Sequence, residues 1–195
     1  MRICFVGDSF VNGVGDPSCL GWTGRICVDA YQYKDEITYY NLGIRRETSA
    51  DILKRWLAEV SCRLSPEYDS RLVFSFGVND TTIERGKTRV SLLDSLNNTR
   101  EILTAALSRF PVLMIGPPPI ADVEQNQIIG ELSQQMRLIC ERVNIPYLDV
   151  FIPLKSSWVW MSEVENYDGA HPRLAGYVEW ANLVKSWSAW QAWLK

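Results

Sequence analysis

Four short polar blocks stand out by residue type: Gly7-Asp8-Ser9, residues 41–48, Gly77-Val78-Asn79-Asp80 and Asp168-Gly169-Ala170-His171. A serine hydroxyl attacks a carbonyl only when a positioned base takes its proton, and that base needs an orienting carboxylate. The chain has one histidine, so His171 is the single candidate for a near-neutral base. Asp168 stands three residues before it, close enough for one turn of backbone to bring its carboxylate to the imidazole Nδ1. Ser9 lies beside Gly7 on a tight turn, where its hydroxyl can protrude. The anionic tetrahedral intermediate also needs donors, and the Asn79 side chain, just after Gly77, is a candidate. Acyl transfer is the chemistry this set can perform. A zinc centre built on several imidazoles is excluded by the lone histidine.

Each residue has a plainer reading too. Ser9 can be a turn residue or helix cap, Asp168 can cap a helix opening at Pro172, and Asn79 can hold its own turn as an Asx motif. A lone histidine is often a surface or structural group. The joint presence of all four blocks favours the catalytic reading.

The elements that must position them alternate between short β-rich and longer amphipathic runs. Residues 2–6 read as a first strand, 21–33 as a helix and 36–41 as a second strand. Thr48 or Ser49 caps a helix with the stripe Ile52, Leu53, Trp56, Leu57, Val60 and Leu64. Residues 71–76 form a third strand, and Leu92, Leu93, Leu96, Leu103, Leu107 and Phe110 mark the next helix. Residues 111–115 form a fourth strand, stopped by Gly116-Pro117-Pro118-Pro119. Asp122 opens a helix with the stripe Ile129, Leu132, Met136, Ile139 and Val143, and 145–150 is a short fifth strand. Residues 151–167 show no clear period, and a last helix runs from after Pro172 nearly to Lys195. Such alternation predicts a parallel sheet with helices on both faces. Ligands then bind at the carboxyl ends of the strands, where the four blocks fall.

Gly7-Asp8-Ser9-Phe10, Asn41-Leu42-Gly43, Gly77-Val78-Asn79-Asp80 and Asp168-Gly169-Ala170-His171-Pro172 resemble, in order and spacing, the four blocks of the GDSL (SGNH) hydrolase family. The resemblance implies a flavodoxin-like, three-layer α/β/α fold on a five-stranded parallel sheet, and esterase, lipase or thioesterase-type hydrolysis without metal or cofactor. Ser9 would be the nucleophile, His171 the base and Asp168 its partner. The oxyanion donors would be the Ser9 backbone N–H, a block-two backbone N–H and the Asn79 side chain. Two departures stand out. Phe10 replaces a leucine, and Arg46 stands where the second block-two glycine usually donates its N–H. Arg46 can still supply a backbone N–H if it adopts the local φ/ψ, with Gly43 as the alternative. Phe10, Trp158 and Trp160 are candidates to line the substrate pocket, against plain packing.

The 195 residues suit one domain spanning 1–195, and 47% apolar with 22% charged residues exclude a disordered chain, coiled coil or collagen-like repeat. A net charge of −3 gives no nucleic-acid footprint, and no apolar run reaches membrane-spanning length. The start Met1-Arg2-Ile3-Cys4-Phe5-Val6-Gly7 reads as a strand rather than a leader, and five cysteines lack any C-x-x-C pair. Reduced thiols and a cytoplasmic location are therefore expected. Gly86-Lys87-Thr88 is no phosphate loop, because Thr81 stands where the motif needs glycine. Asn79-Asp80-Thr81 and Asn97-Asn98-Thr99 are formal glycosylation sequons and are discounted. The last helix carries Trp180, Leu183, Val184, Trp187, Trp190 and Leu194 along one side, which suits core packing or a homodimer contact. The expected partner is a small-molecule ester. The rival reading is a ligand-binding module that has lost turnover, favoured only by Arg46.

Overall fold

A computed structural model describes residues 1–34 and 36–195. The chain runs β1 (Arg2–Gly7), α1 (Ser9–Asn12), α2 (Gly21–Ala30), β2 (Thr38–Gly43), α3 (Ser49–Ser61) and β3 (Ser70–Ser75). A 3₁₀ turn (Val78–Thr81) and a small hairpin, β4 (Ile83–Glu84) with β5 (Lys87–Thr88), follow. Then come α4 (Leu92–Leu107), β6 (Val112–Ile115), α5 (Val123–Arg142), β7 (Tyr147–Leu148), α6 (Phe151–Lys155), α7 (Trp158–Asn166), α8 (Leu174–Ser186) and α9 (Ser188–Leu194).

Five strands pair in parallel in the order β2-β1-β3-β6-β7. Successive strand side chains point to opposite faces, so one short strand feeds two cores. Ile3 and Phe5 of β1 join Val73 and Leu113 against α2, α7, α8 and α9. Cys4 and Val6 join Leu72, Phe74 and Met114 against Ile52 and Trp56 of α3, Leu103 of α4 and Met136 of α5. This is the three-layer α/β/α arrangement expected from the alternation.

Register sets the site. Gly7 lies opposite both Gly43 of β2 and Ser75 of β3, so three neighbouring strands end at one level. The approach there is too close for a side chain: a Cβ on Gly7 would meet the Ser75 carbonyl oxygen at 2.0 Å, and one on Gly43 would meet the Asn12 nitrogen at 2.3 Å.

Several local expectations need correction. The helix expected over 21–33 stops at Ala30, the second strand occupies Thr38–Gly43, and the fifth strand of the sheet shrinks to Tyr147–Leu148. Leu92, Leu93 and Leu107 of α4 are exposed, because its buried face carries Ser95, Thr99, Ile102, Leu103 and Ala106. The Thr99 hydroxyl is satisfied by the Ser95 carbonyl at 2.7 Å, which lets a polar residue hold a core position that an apolar count passes over. The aperiodic stretch 151–167 is two short helices, α6 and α7. The last helix is two, broken at Trp187, whose ψ of 124° is extended. Trp180 and Trp190 are buried, with Trp180 stacked on Trp22 at 5.2 Å between centroids. Two of the tryptophans of the expected stripe therefore pack inside the chain, while Trp187 is half-buried at the break. No helix among the described residues is long and apolar enough to cross a membrane.

Candidate active site

The turn after β1 is fixed before any chemistry is considered. Asp8 is the N-cap of α1, its Oδ1 accepting from the Phe10 amide at 3.0 Å, and Gly13 closes the single helical turn with φ +86°. Ser9 thus occupies the first helical position, nearly buried. Below it, the Arg55 guanidinium of α3 donates to the carbonyls of Gly7 at 3.1 Å and Leu42 at 2.9 Å, tying the ends of β1 and β2 together.

The structure brings Ser9, His171 and Asp168 together. His171 Nε2 lies 2.8 Å from Ser9 Oγ, and its Nδ1 lies 2.7 Å from Asp168 Oδ2. The second Asp168 oxygen accepts from the amides of Ala170 at 3.0 Å and His171 at 2.7 Å. Asp168 therefore orients both ring and backbone. It does not cap α8; Glu163 does, accepting from the amides of Arg173, Ala175 and Gly176.

The electrostatics follow from this packing. Burial holds the His171 imidazole below its ordinary range against the opposing pull of Asp168, and the Arg45 guanidinium pushes the same way as burial. Burial acts to raise the Asp168 carboxyl, but hydrogen bonds from the His171 amide and ring outweigh it and hold the group low. Asp168 is thus ionised and His171 neutral near pH 7.

Asn79 sits on the 3₁₀ turn, which follows Gly77 at φ +129°. Gln125 of α5 braces that turn, donating to the Val78 carbonyl at 3.1 Å and Thr81 Oγ1 at 3.0 Å. Asn79 Nδ2 donates to the Glu47 carbonyl at 3.0 Å and to Asp8 Oδ2 at 3.3 Å. Arg46 adopts φ +65°, the left-handed conformation that glycine would take without strain. Among the described residues, no chain acceptor meets the backbone N–H of Ser9 or of Arg46. The Gly43 N–H is held by Asn41 Oδ1 at 2.9 Å, which turns that alternative donor away.

The pocket candidates divide differently from expectation. Trp160 is fully buried, its indole N–H on the Pro119 carbonyl at 3.0 Å, so it is a core residue. Phe10 is buried too and packs its ring against the His171 imidazole. Trp158 is 81% exposed at the start of α7. The Arg46 guanidinium, 76% exposed, pairs with Glu84 of the hairpin at 3.1 Å. Sequence reasoning gave no role to Asp8, Glu47 or Arg55. Asp8 lay in plain view within the first block, whereas nothing in the helical pattern of α3 marks Arg55.

A three-layer parallel sheet carrying a serine–histidine–aspartate chain of hydrogen bonds at its strand ends defines the class of protein. Residues 5–178 match the GDSL-like lipase/acylhydrolase family, and the chain belongs to that family. Its fold is similar to that of the lipase/acylhydrolase from Enterococcus faecalis, with 24% identity and a TM-score of 0.74 over 94% of this chain and 92% of that one. An acetylxylan esterase from Geobacillus stearothermophilus is similar at 18% identity and TM-score 0.74, covering 93% of this chain and 91% of that one. An alpha/beta hydrolase enzyme from the metagenome of Lake Arreo, Spain, is similar at 17% identity and TM-score 0.78, covering 100% and 96%. No curated protein matches the chain by sequence.

Proposed function

We propose that the chain is a serine ester hydrolase that works through an acyl-enzyme on Ser9. The observation that carries this reading is the continuous Ser9 Oγ, His171 Nε2, Nδ1, Asp168 Oδ2 relay, with both links at hydrogen-bond length. His171 Nε2 takes the Ser9 proton as Oγ bonds to the ester carbonyl carbon, and Asp168 holds the resulting imidazolium. The carbonyl oxygen becomes an oxyanion, met by the Ser9 and Arg46 backbone N–H groups and the Asn79 amide. As the C–O bond breaks, His171 returns its proton to the leaving alcohol. Water, deprotonated by the same nitrogen, then attacks the acyl-enzyme carbonyl. Collapse of the second intermediate releases the acid and restores Ser9.

The acetylxylan esterase among the similar structures makes acetyl esters the first substrates to assay. All five cysteines are free, in keeping with a cytoplasmic setting. A fluorophosphonate probe, followed by mass mapping, tests the reading: it should add one phosphonyl group to Ser9 and abolish hydrolysis. A protein that stays unlabelled and hydrolyses no ester would instead be the binding module, and one that labels elsewhere without loss of activity would remove the acyl-enzyme on Ser9.

A further inference from the structure

Asp8 is a buried carboxyl that none of the acyl-transfer steps uses. Its Oδ1 caps α1 through Phe10, but its Oδ2 reaches across to Asn79 Nδ2 at 3.3 Å. An amide nitrogen carries two protons. In this structure both have chain acceptors, Glu47 O at 3.0 Å and Asp8 Oδ2 at 3.3 Å. An oxyanion must therefore draw one of them away, and the longer contact, to Asp8, is the one that yields. How readily it yields depends on the charge of Asp8, because an ionised acceptor holds an N–H about twice as strongly as a neutral one.

We propose that Asp8 is a positioning residue acting through Asn79: neutral, it steadies the amide and leaves an N–H for the oxyanion; ionised, it captures that N–H. The proposal rests on the reading of Asn79 as an oxyanion donor.

The surroundings favour the neutral carboxyl. Asp80, buried on the same 3₁₀ turn as Asn79, and Glu47, after β2, are the carboxylates that act on Asp8. Glu47 is paired with Arg55 of α3 at 2.6 Å, and Asp80 Oδ1 accepts from the Ser49 amide at 2.7 Å. From α8, the Tyr177 phenol donates to the Val14 carbonyl at 2.8 Å and stays neutral, pushed up by burial and by Asp8 itself. His171 bonds Ser9 Oγ through Nε2, and the Arg45 charge acts on His171. Burial, reinforced by Asp80 and Glu47 and opposed by the Phe10 amide, pushes the Asp8 carboxyl up to about 7.

The sign follows. Raising the pH ionises Asp8, so activity falls on the alkaline side, whereas protonation of His171 lowers it on the acid side. The test is the acylation rate by p-nitrophenyl acetate in single turnover, between pH 5 and 9, for the wild type, Asp8→Asn and Asn79→Ala. The wild-type rate should drop at least about tenfold from pH 7 to pH 9. Asp8→Asn cannot ionise and should keep the acid limb while losing the alkaline one. Asn79→Ala, slower throughout, should show a smaller alkaline drop, since the donor to be captured is gone. A merely structural Asp8 would lower the rate of its variant equally at every pH. An alkaline limb unchanged in Asp8→Asn, or a wild-type rate flat from pH 7 to 9, overturns the proposal. Should Asp8→Asn fail to fold, a full-sized alkaline drop in Asn79→Ala overturns it just as well. Failure here in a protein that labels at Ser9 removes only the role of Asp8; failure to label removes the acyl-enzyme itself.

Discussion

The Phe10 ring lies 4.8 Å from the His171 imidazole, centroid to centroid, and tilted 36° to it. The base thus rests on an aromatic floor, whose further side meets Trp180 at 6.2 Å. Truncating that floor should act on stability and catalysis together. Phe10→Ala is expected to cost about 3–5 kcal/mol and to lower kcat, whereas Phe10→Leu should cost less than about 1.5 kcal/mol and keep kcat within a few-fold. Denaturant unfolding and ester hydrolysis measure the two effects. An alanine variant with wild-type kcat would mean that the ring packs beside His171 without steadying it.

Ser9→Ala and His171→Ala should each lose nearly all activity on a p-nitrophenyl ester while remaining folded by circular dichroism. Because relay members act as a unit, the double variant should be hardly worse than either single one. Losses that add in the double variant would show two independent contributions rather than one proton path.

The neutral imidazole is the proton acceptor, so activity falls as pH drops through the His171 pKa. Since burial and Arg45 lower that value, the acid limb should lie below the ordinary histidine value of about 6.5. Removing the nearby cation favours the imidazolium. Arg45→Ala should therefore move the limb to higher pH, most clearly at low ionic strength. Arg46→Ala is the control, because its guanidinium is turned to Glu84. Equal movement in both variants would argue for a general change of surface charge.

Arg46→Gly relieves a left-handed residue of roughly 1 kcal/mol of strain, offset by the greater freedom of glycine in the unfolded chain. The ion pair with Glu84 is highly exposed and adds little. Stability should change by less than about 1 kcal/mol, and kcat on a neutral ester should stay within a few-fold. Selective loss on anionic esters would show that the Arg46 guanidinium meets the substrate rather than Glu84 alone. A large loss on every ester would place its side chain in the support of the site.

Much of this architecture can be read from residue order alone, because the signals are local. Strand β1 shows apolar residues followed at once by Gly7-Asp8-Ser9, and α3 announces itself through Thr48, which caps it by a reciprocal bond with Asp51. Asp168 and His171 are close in sequence, so their pairing needs no knowledge of the fold. The longer-range facts are of another kind. Nothing in sequence tells which hydrogen-bond partner Asn79 will find, because Asp8 and Glu47 meet it only after β1, β2 and β3 have aligned. The same holds for Trp160: a tryptophan before the fourth block reads equally well as pocket wall or core, and only the packing of α7 on α8 places it in the core. The stripe of α4 misleads because its buried face holds Ser95 and Thr99, whose hydroxyls count as polar until the Asp80 carboxyl meets the first and the Ser95 carbonyl accepts the second.

The β4–β5 hairpin touches the rest of the chain through few groups near the site: Glu84 meets Arg46 and Arg89, Arg89 bonds the Arg46 carbonyl, and Val90 returns to the Asp80 carbonyl. None of these contacts involves Ser9, His171 or Asp168. The hairpin is therefore a detachable visor, hung from the same loop that presents the Arg46 N–H. Its length and charge can change without touching the reactive groups, provided that the Arg46 backbone keeps its turn. A library confined to residues 83–88 leaves in place Arg89, which holds the Arg46 carbonyl, and so varies the visor while the reactive groups stay as they are.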